Sequence, residues 1–101
     1  MDSKILLGRI IQKMIDIGYC QVKPLNRFEY ISHTESHIMV GREQGKDTPI
    51  YYNKIVEAID GYKENPDDYS LNPSTLRDYG ITHVTSPIWS LLHLLDKKDY
   101  S

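Results

Sequence analysis

The sequence predicts a single α+β domain in which an N-terminal helix precedes a three-stranded antiparallel meander and three further helices. Apolar residues recur at helical spacing near the N-terminus. Three short segments rich in β-branched and aromatic residues follow, separated by tight polar turns. The last third contains two helix starts, each a small polar residue followed by proline. A chain of 101 residues can form one compact core, so the predicted domain spans residues 1–101.

The first helix is expected at about residues 4–17, with Asp2 or Ser3 as its cap. Gly18 stands where this helix should end, and the stretch GYCQVKPLNR is interpreted as the exit from it. Residues with helical spacing form its apolar stripe, namely Leu6, Ile10, Met14 and Ile17.

Three strands are expected at residues 28–32, 36–42 and 48–52, joined by the polar turns HTES and EQGKD. Consecutive short strands with tight turns most simply form an antiparallel meander. A second helix is expected over NKIVEAIDGYK, with Asn53 as its cap, and ENPDDYS is interpreted as a polar loop.

The last two predicted helices give a helix–turn–helix outline. Asn72 is expected to cap the first of them, with Pro73 at its first position and Gly80 at its end. Ser86 and Pro87 repeat the arrangement for the second helix, which is expected to continue to Leu95. With the strands, this layout is winged-helix-like.

The last helix is apolar on almost every side, which is typical of a core or subunit-interface helix. A helix that reads a DNA groove should present several donors and cations to bases and phosphates. The sequence therefore favours a core or interface role for Trp89, Leu92 and Leu95.

Composition is that of an ordinary folded protein, with 26% charged and 40% hydrophobic residues. The apolar runs are too short to span a membrane, and the N-terminus has no sustained apolar segment typical of a secretory signal. The single Cys20 cannot form an internal disulfide, which is expected of a reducing, cytoplasmic setting.

Charge differs between the two parts of the chain. Residues 1–55 carry eight Lys or Arg against six Asp or Glu, whereas residues 56–101 carry four against eight. The sequence pI is about 6.0. A nonspecific nucleic-acid binder usually has a basic face, so contact with nucleic acid would here need a few focused cations.

No catalytic or metal-binding motif is complete. His33 and His37 lie about 13 Å apart if the segment is extended, too far to share an ion. The turn GREQGKD lacks the first glycine of a phosphate-binding loop, five residues before its Gly-Lys pair, and the hydroxyl residue after that pair. Cys20 has no local base to activate it. We therefore expect no enzymatic activity, no metal and no cofactor.

Three stretches carry a resemblance, namely RFEYISH, HIMVGREQGKDTPIYYNKIVEAIDGY and LRDYGITHVTSPIWSLLHLL. Over about residues 28–95 they resemble a small accessory domain of bacterial restriction and helicase-like proteins. The shared features are a strand pair ending in an Arg–x–x–Gly–Lys-like turn, an isoleucine-led strand, a helix and a serine-initiated, leucine-rich helix. The resemblance implies a recognition or adaptor role near DNA or phage-defence machinery.

Two functions remain open from the sequence. The first is a non-enzymatic bacterial or phage adaptor associated with nucleic acid or with a nucleic-acid enzyme, making its polar contacts through Arg27, Arg42, Lys46 and Arg77. The second is a protein inhibitor or immunity-type protein that covers a basic site with Glu57, Asp60 and Glu64. The expected partners are a protein and, through the cations, nucleic acid; a homodimer is a further alternative.

Overall fold

Four antiparallel strands and three α-helices form the fold, and the computed structural model describes residues 1–101. The predicted α+β class is confirmed. In chain order the elements are α1 (Ser3–Ile17), β1 (Tyr19–Gln21), β2 (Arg27–His33), β3 (His37–Arg42), β4 (Thr48–Tyr51), α2 (Tyr52–Glu64) and α3 (Thr85–Leu92). Three 3₁₀ helices complete the chain, at Pro66–Ser70, Pro73–Tyr79 and Lys97–Tyr100.

The sheet has one strand more than the sequence predicted. Asp2 caps α1 by accepting from the Lys4 amide at 2.7 Å, and Gly18 ends the helix at φ 91°. This left-handed turn, which glycine adopts readily, redirects the chain so that β1 pairs at once with β2, Cys20 opposite Phe28. A strand of three residues is too short to show alternation, so its sequence was wrongly interpreted as an exit loop.

The strand order is β1-β2-β3-β4, a simple meander with a register shift between Tyr30 and Ser32. One face of the sheet packs against the helices and is buried, through Cys20, Phe28, Ile38, Val40 and Ile50. We call the opposite face the outer face. Along the strands its residues alternate with the buried ones except at the register shift, and it comprises Tyr19, Gln21, Arg27, Glu29, Ile31, Ser32, His37, Met39, Gly41, Pro49 and Tyr51.

The second helix starts directly at the end of β4. Tyr51 occupies its N-cap position without a side-chain hydrogen bond, so the predicted cap at Asn53 is wrong. The helix buries one stripe against the sheet and α1, formed by Ile55, Ala58, Ile59 and Tyr62. The polar stretch expected to be a loop contains the Pro66–Ser70 3₁₀ helix, in which proline supplies the pre-set φ of an early helical position.

The first predicted cap in the last third is confirmed, and the second is wrong. Asn72 accepts from the Ser74 amide at 3.0 Å and Gly80 closes the segment at φ 85°, although the segment is 3₁₀ rather than α-helical. Helix α3 begins at Thr85, before the expected cap Ser86. Pro87 allows this early start because amides of the first helical turn need no intrahelical partner. The helix ends at Leu92 rather than at Leu95.

Aromatic rings join α2, α3 and the 3₁₀ helices around the buried Tyr62. Its ring centroid lies 5.3 Å from that of Tyr100 and 6.1 Å from that of Trp89. His93 bridges two elements, with Nδ1 at 2.7 Å from the Trp89 carbonyl and Nε2 at 2.8 Å from the Tyr69 carbonyl. His93 thus links α3 to the Pro66–Ser70 3₁₀ helix.

Candidate interaction surface

The four predicted contact cations do not form one group. Arg27 begins β2, Arg42 ends the neighbouring β3, and Lys46 lies in the turn that follows, so these three meet at one end of the sheet. Arg77 lies in the Pro73–Tyr79 3₁₀ helix of the helical layer. The structure therefore brings together three of the four cations.

The two arginines at this end point to different faces of the sheet. The Arg27 guanidinium lies 3.8 Å from the centroid of the Tyr19 ring on the outer face, and its Nε is 3.1 Å from a Glu29 carboxylate oxygen. The Arg42 guanidinium lies 5.6 Å from the centroid of Phe28, a core-face ring. This arrangement offers no single plane of cations to a phosphate backbone.

The predicted acidic face is exposed but partly occupied by contacts within the chain. Glu57 is 3.2 Å from the Lys54 amino group, and Asp60 accepts a hydrogen bond from the Ser3 hydroxyl of α1. Glu64 is exposed at the end of α2, next to Lys63. Exposed pairs of this kind contribute little to stability, so the carboxylates can exchange partners. The neighbouring Lys54 and Lys63 reduce the net negative charge of this surface.

Helix α3 is a core helix. Six of its eight residues are buried, from Pro87 to Leu92, and Trp89, Leu92 and Leu95 all lie in the hydrophobic core. A helix buried in this way cannot insert into a DNA groove, because its side chains already contact the sheet and α2. Helix α3 therefore offers little exposed surface to another molecule.

The candidate metal-binding and nucleophilic side chains make contacts within the fold. His33 Nδ1 is 2.6 Å from the Tyr30 hydroxyl, and His37 Nδ1 is 3.2 Å from the Thr34 hydroxyl. No cluster of three or more residues that could bind a metal is present. Burial raises the pKa of the Cys20 thiol to about 11, while the neighbouring Ser90 hydroxyl opposes this shift. A thiol with this pKa carries very little thiolate at neutral pH, which makes it a poor nucleophile.

The outer face of the sheet is a further candidate interaction surface. Its residues are half-buried or exposed, and they include the apolar side chains of Ile31 and Tyr51, 44% and 51% exposed. Because Gly41 has no side chain, the Ile31 side chain lies over its backbone. A Cβ at position 41 would lie only 3.3 Å from Ile31 Cδ1. Met39 and Pro49 lie in register on neighbouring strands beside it. Tyrosine, methionine and arginine are the residues that protein interfaces favour.

This face was not predicted from the sequence, although the pattern of β3 contains a signal for it. In HIMVGR, the buried Ile38 and Val40 alternate with His37, Met39 and Gly41, which predicts a strand with two different faces. The pattern does not say whether a helix covers the second face. That depends on the number of helices and on the side on which they pack.

A cleft adjoins the outer face at the edge strand β4. It has a volume of about 330 Å³ and is lined by Pro49, Tyr51 and Lys54 on one side and by residues 80–84 on the other. Val84, at the start of α3, has φ 53° and ψ 29°, a left-handed conformation that is rare for a β-branched residue. Strained backbone of this kind clusters at functional sites.

Comparison of the chain with models of protein families, with curated proteins and with solved structures found no match. No helix of the structure is long and apolar enough to cross a membrane.

Proposed function

We propose that this chain is a non-enzymatic recognition module that docks onto a protein partner through the outer face of its sheet. The observation that carries the proposal is the outer face itself, with Ile31 exposed beside Gly41 and Tyr51 exposed beside His37. Antiparallel sheets commonly leave one face in solvent, but that face is then usually polar. Here Ile31, Met39 and Tyr51 add apolar surface among the polar residues, which favours a partner that buries them.

The chemical character of the face favours a protein over nucleic acid. Its one arginine, Arg27, is already paired with Glu29 and stacked on Tyr19. A face whose charges cancel attracts phosphates weakly, whereas apolar and aromatic side chains are good anchors for a protein surface. The resemblance to accessory domains of restriction and helicase-like proteins supports a nucleic-acid enzyme, in a bacterial or phage defence or anti-defence setting, as the partner.

Direct contact with nucleic acid has a secondary role in this proposal. In a winged-helix-like interpretation the β3–β4 turn, with Arg42 and Lys46, would serve as the wing and touch phosphates. With α3 in the core, that wing would have no recognition helix beside it. It would add a few salt-sensitive contacts to an adaptor whose main partner is a protein.

Affinity capture from the source organism tests the proposal with two matched variants. Ile31→Asp introduces a charge on the outer face, and Leu71→Asp introduces the same charge at an apolar residue, 60% exposed, away from the sheet. We expect the wild type and Leu71→Asp to retain the same protein and Ile31→Asp to lose it. Melting temperatures of the three proteins, measured in parallel, show whether each remains folded.

Nuclease treatment of the lysate separates the alternatives. Capture that persists after treatment supports a protein contact, whereas capture that disappears indicates that nucleic acid bridges the two proteins. Equal capture by all three proteins would reject docking through the outer face. The inhibitor alternative predicts that capture is lost when Glu57 and Glu64 are replaced by lysine. Exposed charges steer association with a basic target.

A further inference from the structure

The cleft beside the outer face differs chemically from the rest of the surface. The rings of Pro49 and Tyr51 and the side chains of Ile81 and Val84 make it mainly apolar. Its volume, about 330 Å³, is at the small end of the range of about 300–1,000 Å³ found for ligand pockets. It therefore suits one or two side chains rather than a large cofactor.

One lysine supplies the positive charge in the lining of the cleft. Lys54 is the only lysine or arginine in the lining, and none of the chain's 14 aspartates and glutamates lines it. Lys54 is paired with Glu57 at 3.2 Å, but both side chains are more than 40% exposed. An exposed pair is weak, so the lysine can take a carboxylate from a partner at little cost.

The wall formed by residues 80–84 is held in place from both ends. The Ile81 amide donates to the Leu76 carbonyl at 3.2 Å, and the Val84 carbonyl accepts from the Ile88 amide at 3.1 Å. Left-handed backbone at a β-branched residue persists only where the surroundings fix it. These contacts keep the cleft open before a ligand arrives, which lowers the entropy lost on binding.

We propose that the cleft binds an acidic linear segment of a partner protein, which inserts one aromatic or branched apolar side chain and places a neighbouring carboxylate against Lys54. This inference rests on the proposed function and deepens it, because Pro49 and Tyr51 belong to both the cleft and the outer face. The lining lacks arginine and has only one lysine, which makes it a poor site for the repeated phosphates of a nucleic acid.

The test uses short blocked peptides and backbone amide NMR of the full chain. The probe is acetyl-Asp-Asp-Trp-Asp-Asp-amide, compared with one peptide that has Asn for every Asp and another that has Ala for Trp. We expect the probe to shift the amide signals of Thr82, His83 and Val84, which lie in the wall of the cleft. Both comparison peptides should bind at least about threefold more weakly, because each lacks one of the two anchors.

Two lysine variants provide the control on the protein. Lys54→Met removes the charge at the cleft, and Lys13→Met removes the charge of an exposed lysine on α1. The probe should bind Lys54→Met about three- to tenfold more weakly and Lys13→Met unchanged. Equal weakening in both variants, or no shift of the cleft amides at any concentration of the probe, would overturn the proposal. A single-stranded oligothymidine that shifts these amides more strongly than the probe would also overturn it.

The two proposals can fail separately. If the probe does not bind while capture still depends on Ile31, the cleft is rejected and the adaptor function stands. If the probe binds with the expected dependence on Lys54 but Ile31→Asp captures as the wild type does, the peptide site stands and docking through the outer face is rejected.

Discussion

Of two buried tyrosine hydroxyls, one has a hydrogen-bond partner and the other has none. The Tyr62 hydroxyl has no hydrogen-bond partner within the protein, although the residue is fully buried. The Tyr100 hydroxyl, on a ring that stacks edge-on against Tyr62, donates to the Leu92 carbonyl. A buried polar group without a partner is costly, whereas a satisfied one contributes modestly to stability.

Replacing each tyrosine by phenylalanine should therefore have opposite effects. Tyr62→Phe should leave the free energy of unfolding unchanged or raise it by up to about 2 kcal/mol, since only an unpaired hydroxyl is removed. Tyr100→Phe should lower it by about 1–1.5 kcal/mol. Urea denaturation of the two variants measures both values. A loss at Tyr62 as large as that at Tyr100 would show that its hydroxyl has a partner in solution.

At the scale of the element, two helical glycines have opposite surroundings. A Cβ at Gly61 in α2 would lie under 3.0 Å from three atoms of the Tyr79 ring, while a Cβ at Gly8 in α1 would meet nothing within 4 Å. The Tyr79 hydroxyl donates to the Asp68 carboxylate, which fixes the ring over the glycine. Gly61 thus allows the Pro73–Tyr79 segment to pack closely on α2.

Alanine at these two positions should separate helix propensity from packing. Gly61→Ala should lower the free energy of unfolding by about 1–3 kcal/mol, because the ring must move and lose its bond to Asp68. Gly8→Ala should raise it by about 0.5–1 kcal/mol, since alanine is the better helix former. Thermal and urea denaturation measure both changes. Stabilisation by both substitutions would mean that the Tyr79 ring moves aside freely.

The elements that sequence reasoning located are those with enough residues to show a period. Helix α1 and strands β2 to β4 were predicted to within one or two residues. Strand β1 is too short to alternate, and the cap at Ser86 failed because Val84 takes the left-handed conformation instead. The cleft could not be predicted, since it forms only when residues 80–84 return to the edge strand.

At the scale of the whole molecule, buried tyrosines should make the fold less stable at alkaline pH. Burial raises the pKa above the ordinary value of 10.0 at five of the eight tyrosines, namely Tyr52, Tyr62, Tyr69, Tyr79 and Tyr100. The folded state therefore keeps protons that the unfolded chain releases. Stability from this source is fully present below about pH 10 and is lost as the pH rises above that value.

The two most deeply buried of these, Tyr62 and Tyr100, set the expected slope. Each should lower the free energy of unfolding by about 1.4 kcal/mol per pH unit above about pH 11, which gives nearly 3 kcal/mol per unit together. Urea denaturation at increasing pH measures this slope, and tyrosinate absorbance should rise together with unfolding. In Tyr62→Phe the slope should fall by about 1.4 kcal/mol per pH unit, the contribution of one tyrosine. Complete ionisation of all tyrosines in a protein that stays folded would contradict the prediction.

The two edges of the sheet decide how it can associate with other molecules. Edge strand β1 has three residues, and edge strand β4 has four, of which Pro49 has no amide hydrogen to donate. Short edges and an edge proline are the features by which natural sheets avoid being extended by further strands. Open-ended polymerisation through backbone pairing is thereby disfavoured. Association of this chain with other molecules is thereby directed to side-chain surfaces rather than to its strand edges.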